Sequence, residues 1–235
     1  MPPIQRFTAA NRLLEALPES DRRRMLAGCE TVHLAFADVL YAPGDAIKHV
    51  YFPTGSFISL IMPIDESASL EVGMVGDEGM FGTPLALDVD TSPVRAVVQG
   101  EGPALRMDAA RFRRELARSP ALRREMDLYV YVRMAQLAQT AGCTRFHVVE
   151  ARLARWLLMT QDRAHSDKFH VTQEFLAIML GVRRVGVTKA ASSLQKLGLI
   201  GYRRGDITVL DRRGLKTASC GCYKADRESY ASVLG

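Results

Sequence analysis

Apolar residues change their period along this chain. From Thr31 to about Met107 they occur in short runs, TVHLAF, KHVYF, SFISLIM, SLEVGMV and VRAVV, separated by turn-forming pieces such as APGD, PTG and DESAS. The runs are rich in β-branched and aromatic residues, and short strands spaced so closely predict an antiparallel sandwich or jelly roll. Before them, residues 11 to 28 predict a short helix broken near Pro18 and a second one carrying Arg22, Arg23 and Arg24. After them the period becomes helical, with a short helix over 108 to 118 and a long one opened by Pro120. On the long helix apolar residues recur at Met126, Val130 and Leu137, but Arg133 interrupts every strict heptad. The helix is therefore read as a dimer seam, with packing onto its own β domain as the alternative. Val149, Leu153, Trp156 and Leu157 then form one stripe of a core-facing helix, which puts the only tryptophan in a C-terminal core.

The segment TQEFLAIMLGVRRVGVTKAASSLQKLGLI has a more specific pattern. Thr172 can cap a helix that stops at Gly181, and a second helix runs from about 183 to 197 and ends at Gly198. Helices joined by so tight a turn need a small contact residue, a turn glycine and a branched apolar residue facing back. Ala177, Gly181 and Val187 meet those needs, which is a helix-turn-helix signature. At ~100° per residue, Val187, Ala190, Ala191 and Leu194 point inward, and Val185, Thr188, Lys189 and Ser192 point outward with Arg184 at the edge. A merely solvated helix would favour Glu and Lys pairs on its outer face. This face has no acid, which suits the major groove of double-stranded DNA. Arg184 and Lys189 are expected to contact bases or flanking phosphates, and Thr188 and Ser192 to position the helix. Beyond it, short strands at 200 to 202 and 207 to 210 flank Arg203, Arg204 and Gly205. They predict a wing over 200–210, with Arg183, Arg203 and Arg204 on phosphates.

Charge divides the chain in the same place. The first 142 residues hold 15 Lys and Arg against 18 Asp and Glu, net −3, whereas residues 143 to 235 hold 16 against 8, net +8. A polyanion partner for the C-terminal part alone is implied. A chain of 235 residues, 48% hydrophobic, has room for two modest cores. No apolar run approaches the ~20 residues of a membrane span, and the start lacks a signal-peptide pattern, so a cytoplasmic protein with no membrane partner is expected. The four cysteines, Cys29, Cys143, Cys220 and Cys222, lack the C-x-x-C spacing of zinc and redox sites and are read as free thiols, with no metal expected. Cys220 and Cys222 are read as an exposed tail pair without a role, a redox or metal hook being the alternative.

In this order, the β domain, the long helix and the winged motif resemble the Crp/Fnr family of bacterial transcription regulators over nearly the whole chain. The matching pieces are RLARWLL, TQEFLAIMLGVRRVGVTKAASSLQKLGLI and YRRGDITVLDRRGL. The resemblance implies an α+β fold: a jelly-roll, cyclic-nucleotide-binding-like sensor domain over 1–119, a dimerisation helix over 120–142 and a winged helix-turn-helix domain over 143–235. It also implies a homodimer on a palindromic operator, with RNA polymerase as a partner if the protein is an activator. Position by position, the family's base-reading arginine falls on Arg184 and a later basic contact on Lys189. Where the cyclic-AMP-responsive branch has a glutamate that reads cytosine, this chain has Val185, which can touch a thymine methyl but cannot accept a hydrogen bond.

The sensor half departs from the family pattern. VGDEGMFG keeps the glycines and Glu78, but the place of the phosphate-binding arginine holds Thr91 or Ser92, with Arg95 displaced by a few residues. Gly76, Glu78, Gly79 and Arg95 are the candidate effector pocket, yet without that arginine a cyclic nucleotide is not expected. Gly76, Gly79 and Gly82 are read as turn residues and Glu78 as structural. Cys29 alone cannot supply an iron–sulfur cluster, and His33 and His49 are read as surface or core residues rather than haem ligands. Two other functions are the alternatives. A jelly-roll metalloenzyme needs several converging ligands, and the β region has only His33 and His49 with no H-x-H pair, so no enzyme is expected. A regulator without an effector, controlled by abundance or a protein partner, stays open.

Overall fold

The computed structural model describes residues 10–65 and 68–235. Helices α1 (Arg12–Glu15) and α2 (Glu19–Ala27) are separated at Pro18, which cannot extend the first and stands at the entrance of the second. Seven strands follow: β1 (Glu30–Leu34), β2 (Val39–Tyr41), β3 (His49–Pro53), β4 (Phe57–Pro63), β5 (Ser69–Val75), β6 (Arg95–Gly100) and β7 (Gly102–Asp108). They pair antiparallel in two sheets, ordered β1-β7-β3 and β2-β6-β4-β5. Val50, Phe52, Ile58, Val75, Val98, Ala104 and Met107 fill the space within, closed by Phe112, Leu122, Met126 and Tyr129 from helices. The apolar runs predict five of these strands. β2 is only three residues long, and β7 opens on Gly102-Pro103 and carries Arg106, so neither shows an apolar run, although β7 is the central strand of its sheet.

Asp108 caps α3 (Ala109–Arg118) by accepting from Arg111 N, and Ser119 caps the 27-residue α4 (Pro120–Phe146) by accepting from Leu122 N. This long helix continues to Phe146, past residue 142, and has two apolar faces. Leu122, Met126, Tyr129 and Val132 are buried. Tyr131, 59% exposed, and Met134, 63% exposed, begin a stripe that continues through Leu137, Ala138 and Ala141. Arg133 belongs to the inner side, where its Nη1 donates to the Met74 carbonyl and to Gln136 Oε1. A single heptad fails because two faces are written into one sequence.

The C-terminal part comprises α5 (Val149–Ala164), β8 (Lys168–His170), α6 (Gln173–Leu180), α7 (Arg184–Lys196), β9 (Ile200–Arg203), β10 (Asp206–Val209), α8 (Arg212–Ala218) and α9 (Cys222–Leu234). Its core gathers Leu153, Trp156, Leu157, Leu176, Val187, Leu194, Ile207 and Leu215. Ile61, Met74 and Val97 belong to the same cluster. The outer face of the β4–β5–β6 sheet is thus buried under α5 and α6, so the two parts share apolar surface. α9 returns to pack along α4.

Candidate nucleic-acid interface

Thr172 accepts a hydrogen bond from Phe175 N at 3.1 Å, which starts α6. Gly181 ends it with φ +59°, a conformation that costs a side-chain-bearing residue energy, and Val182 N donates back to the Ala177 carbonyl at 3.0 Å. Ala177 is half-buried at this crossing, and fully buried Val187 faces back from α7 beside Ala190, Ala191 and Leu194. The opposite side of α7 exposes Arg184, Val185, Thr188, Lys189 and Ser192, with Val185 60% exposed; Arg183, just before the helix, is exposed too. Thr188 Oγ1 lies 2.9 Å from Gln173 Oε1 and 3.1 Å from the Arg184 carbonyl, and its one proton, shared between them or given to Gln173, ties the exposed helix to α6. Gln173 was not singled out in the sequence, where it reads only as a residue of the first helical turn.

The first turn of α7 holds no acid and no side chain caps it, leaving free backbone N–H groups beside Arg183 and Arg184. Such an end attracts phosphate oxygens. β9 and β10 pair in register Asp206 to Arg203, and the tip between them uses positive φ at Arg204 and Gly205. Arg203 and Arg204 are exposed there, and the Asp206 carboxylate is held 2.8 Å from His170 Nδ1 on β8. β8 completes the order β8-β10-β9 and braces the wing.

Of the candidate effector residues, Gly76, Glu78 and Gly79 share one turn, where Gly79 N donates to the Gly76 carbonyl at 3.1 Å, but Arg95 does not join them. A Cβ at Gly79 would meet the Tyr129 hydroxyl at 2.1 Å, and one at Gly76 would meet Glu78 and Arg163, so both glycines admit neighbouring side chains. Buried Glu78 accepts from Arg163 of α5, at 2.9 Å from Nε and 2.5 Å from Nη2, and Tyr230 donates to its carbonyl at 2.5 Å. Arg95 is exposed at the start of β6, in register with Ile61. Ser92 is spent on the Val94 carbonyl at 2.7 Å. A cavity of about 480 Å³ beside Glu78 is lined by the acids Asp77, Glu125, Asp162 and Asp226 and by the cations Arg12, Arg163 and Arg227, a surround of mixed charge.

A second polar junction joins the two parts. Trp156 Nε1 donates to Glu71 Oε1 at 3.0 Å, and Ser59 Oγ lies against both Glu71 Oε2 and Gln99 Oε1. Burial pushes the Glu71 carboxyl up to about 7, against the opposing pull of Ser59, Trp156, Arg163 and Arg155. The expectation of an exposed cysteine pair is overturned. Cys220 and Cys222 are buried, and with Cys143 and His147 they form one cluster at the end of α4.

The family model of the Crp-like helix-turn-helix domain matches residues 151–218. Residues 151–218 are a Crp-like helix-turn-helix domain. This Crp-like domain covers α5 through α8 and holds every reading and wing residue described above. The whole chain shares its fold with Crp/Fnr regulators. FixK2 from Bradyrhizobium japonicum superposes with a TM-score of 0.69 at 12% identity, over 82% of this chain and 98% of that one. A transcriptional regulator of the crp/fnr family from Eubacterium rectale gives 0.69 at 17%, over 88% and 96%. The c-di-GMP responsive global regulator CLP of Xanthomonas campestris gives 0.67 at 19%, over 82% and 99%. No curated protein matches the chain in sequence.

Proposed function

We propose that the protein is a DNA-binding transcription regulator that reads a palindromic operator as a homodimer. The observation that carries this reading is the exposed face of α7, which presents Arg184, Val185, Thr188, Lys189 and Ser192 without an acid while its other face is locked in the core. Arg184 and Lys189 read base edges or adjacent phosphates, Val185 favours a thymine methyl, and Arg183, Arg203 and Arg204 hold phosphates. The exposed apolar stripe of α4 supports self-association, which would set two recognition helices about 34 Å apart on successive major grooves. In an activator the further partner is RNA polymerase. The protein would work in the cytoplasm, and no helix among the described residues is long and apolar enough to cross a membrane.

The reading includes no cyclic nucleotide. Glu78 is paired with Arg163, Tyr129 fills the space at Gly79, and Arg95 is exposed on β6, so the three do not form an anion cradle. Calorimetric titration with cyclic AMP and cyclic GMP checks this, and saturable binding near micromolar would overturn it. The jelly roll also offers little support for a metalloenzyme, since His33 is exposed on β1 and His49 lies on β3.

Selection of bound sites from random DNA tests the main reading: a palindromic consensus is expected, and recovery without enrichment would sink it. On the selected operator, Arg184→Ala should cost about 1–3 kcal/mol and relax one base position in each half-site. Equal binding by wild type and variant would remove Arg184 from the reading face. Arg203→Ala should weaken all sequences alike and lower the slope of log K against log salt by about one, measured by fluorescence anisotropy at several salt concentrations.

A further inference from the structure

The four residues Cys143, His147, Cys220 and Cys222 come together from segments more than seventy residues apart, and their ligand atoms all lie within 4.8 Å of one another. Cys143 lies in the last turn of α4, and His147 is the extended residue that ends the helix, its N–H donating to the Cys143 carbonyl at 3.2 Å. Cys220 and Cys222 flank Gly221 at the turn between α8 and α9. The Cys143 and Cys220 sulfurs are 3.6 Å apart, and Cys222 Sγ is 3.5 Å from His147 Nδ1.

Those distances discriminate between uses of the cluster. A disulfide requires sulfurs about 2.05 Å apart. Two thiolates each about 2.3 Å from one zinc ion at the tetrahedral angle are about 3.8 Å apart, and a thiolate and an imidazole nitrogen about 3.5 Å. The Cys143–Cys220 and Cys222–His147 spacings match the second arrangement, and the remaining pairs lie within 4.8 Å. We propose that Cys143, His147, Cys220 and Cys222 form a closed mononuclear site for a zinc-class divalent cation.

The surroundings suit thiolates. Gln139 Nε2 donates to Cys222 Sγ at 2.9 Å, which orients that sulfur from one turn earlier on α4. Buried Arg155, on α5, points its Nη2 at Asp226 Oδ2 at 2.5 Å, while its buried Nε has no hydrogen-bond partner. Three thiolates around a divalent ion leave one net negative charge; Arg155 is already matched by Asp226, and the compensating cation is buried Arg152, which lines the same pocket as Cys143, donates to the Leu180 carbonyl and has no ion-pair partner among the described residues. Binding releases the thiol protons to solvent. Four protein ligands leave no open position for a reacting water, so the ion acts as a staple. It fastens the start of α9 to the end of α4, where the long helix hands over to the Crp-like domain. His147 is exposed and the cysteines are buried, so the ion enters from the histidine side.

The test uses the full-length chain, reduced, stripped with chelator and titrated with Co(II) or Zn(II) alone. One ion per chain is expected, with the strong visible bands of tetrahedral cobalt and thiolate charge-transfer bands, both erased by zinc. Zinc should raise the melting temperature and chelator should reverse the rise. Because cysteine variants risk misfolding, His147→Ala, at an exposed ligand, is the deciding variant: its metal-free melting should equal the wild type's while zinc affinity falls at least about tenfold. No metal uptake by the reduced protein, an octahedral cobalt spectrum, or equal affinity in His147→Ala overturns the site, as does a Cys143–Cys220 disulfide in a chain that takes up no metal once reduced.

Discussion

Arg163→Met is expected to destabilise the protein by about 3–5 kcal/mol, because it strands a carboxylate in the junction between the jelly roll and the Crp-like domain. Among the described residues, Glu78 has Arg163 as its ion-pair partner. Its Oε1 accepts from both Arg163 Nε and Nη2, and the two side chains are only 11% and 10% exposed. In the neighbouring cavity Asp77 is already paired with Arg12 and Asp226 with Arg155, so the destabilisation rests on Glu78 itself. Urea unfolding followed by the fluorescence of Trp156, two turns earlier on α5, reports the change directly. Adding Glu78→Gln should return much of the loss, since the stranded charge rather than the missing contact dominates. A loss below about 1 kcal/mol would mean that water screens the pair and that Glu78 is available to a ligand after all.

This pair also shows where the sequence stops being readable. The helix-turn-helix was legible because its requirements are local: Thr172, Gly181 and Val187 each satisfy a need set within a few residues, and the faces of α7 follow from helical period alone. The jelly roll was legible wherever a strand carries an apolar run, but not at β7, whose identity as a central strand comes from its partners β1 and β3. Junction residues obey neither rule. Glu71 and Arg163 look like ordinary surface charges until the outer face of a sheet is known to be covered, and Glu78, read as structural, shows no partner in the sequence. The long helix fails as a heptad for a related reason, since its inner face serves the jelly roll and its outer face stays exposed. For the cysteines the signal lies in a different spacing. C-x-x-C is absent, whereas Cys143 in the last helical turn and His147 just past it stand one turn apart, close enough in sequence to share a ligand set.

Glu71→Gln should make the protein more stable, and only at neutral and higher pH. The unfolded chain releases this proton near 4.5, whereas burial holds it in the folded chain up to about 7. Between those values the folded state binds a proton that the unfolded state has lost, so stability falls as pH rises through the interval and levels off above it. Glutamine has no such proton, so wild type should lose about 2–3 kcal/mol relative to the variant between about pH 5 and pH 8. The hydrogen bonds agree with a protonated Glu71. Ser59 has one hydroxyl proton yet lies against two acceptor oxygens, Glu71 Oε2 and Gln99 Oε1. A protonated Glu71 donates to Ser59, Ser59 donates to Gln99, and Trp156 donates to Glu71 Oε1, which leaves every partner satisfied. Glutamine can reproduce that pattern by turning its NH2 toward Ser59. Parallel urea midpoints for the two proteins across this pH range decide the matter: a constant difference would show that Glu71 is already ionised when folded. Because the Trp156 indole is the partner from the Crp-like domain, its emission should move with the same titration in wild type and stay fixed in the variant.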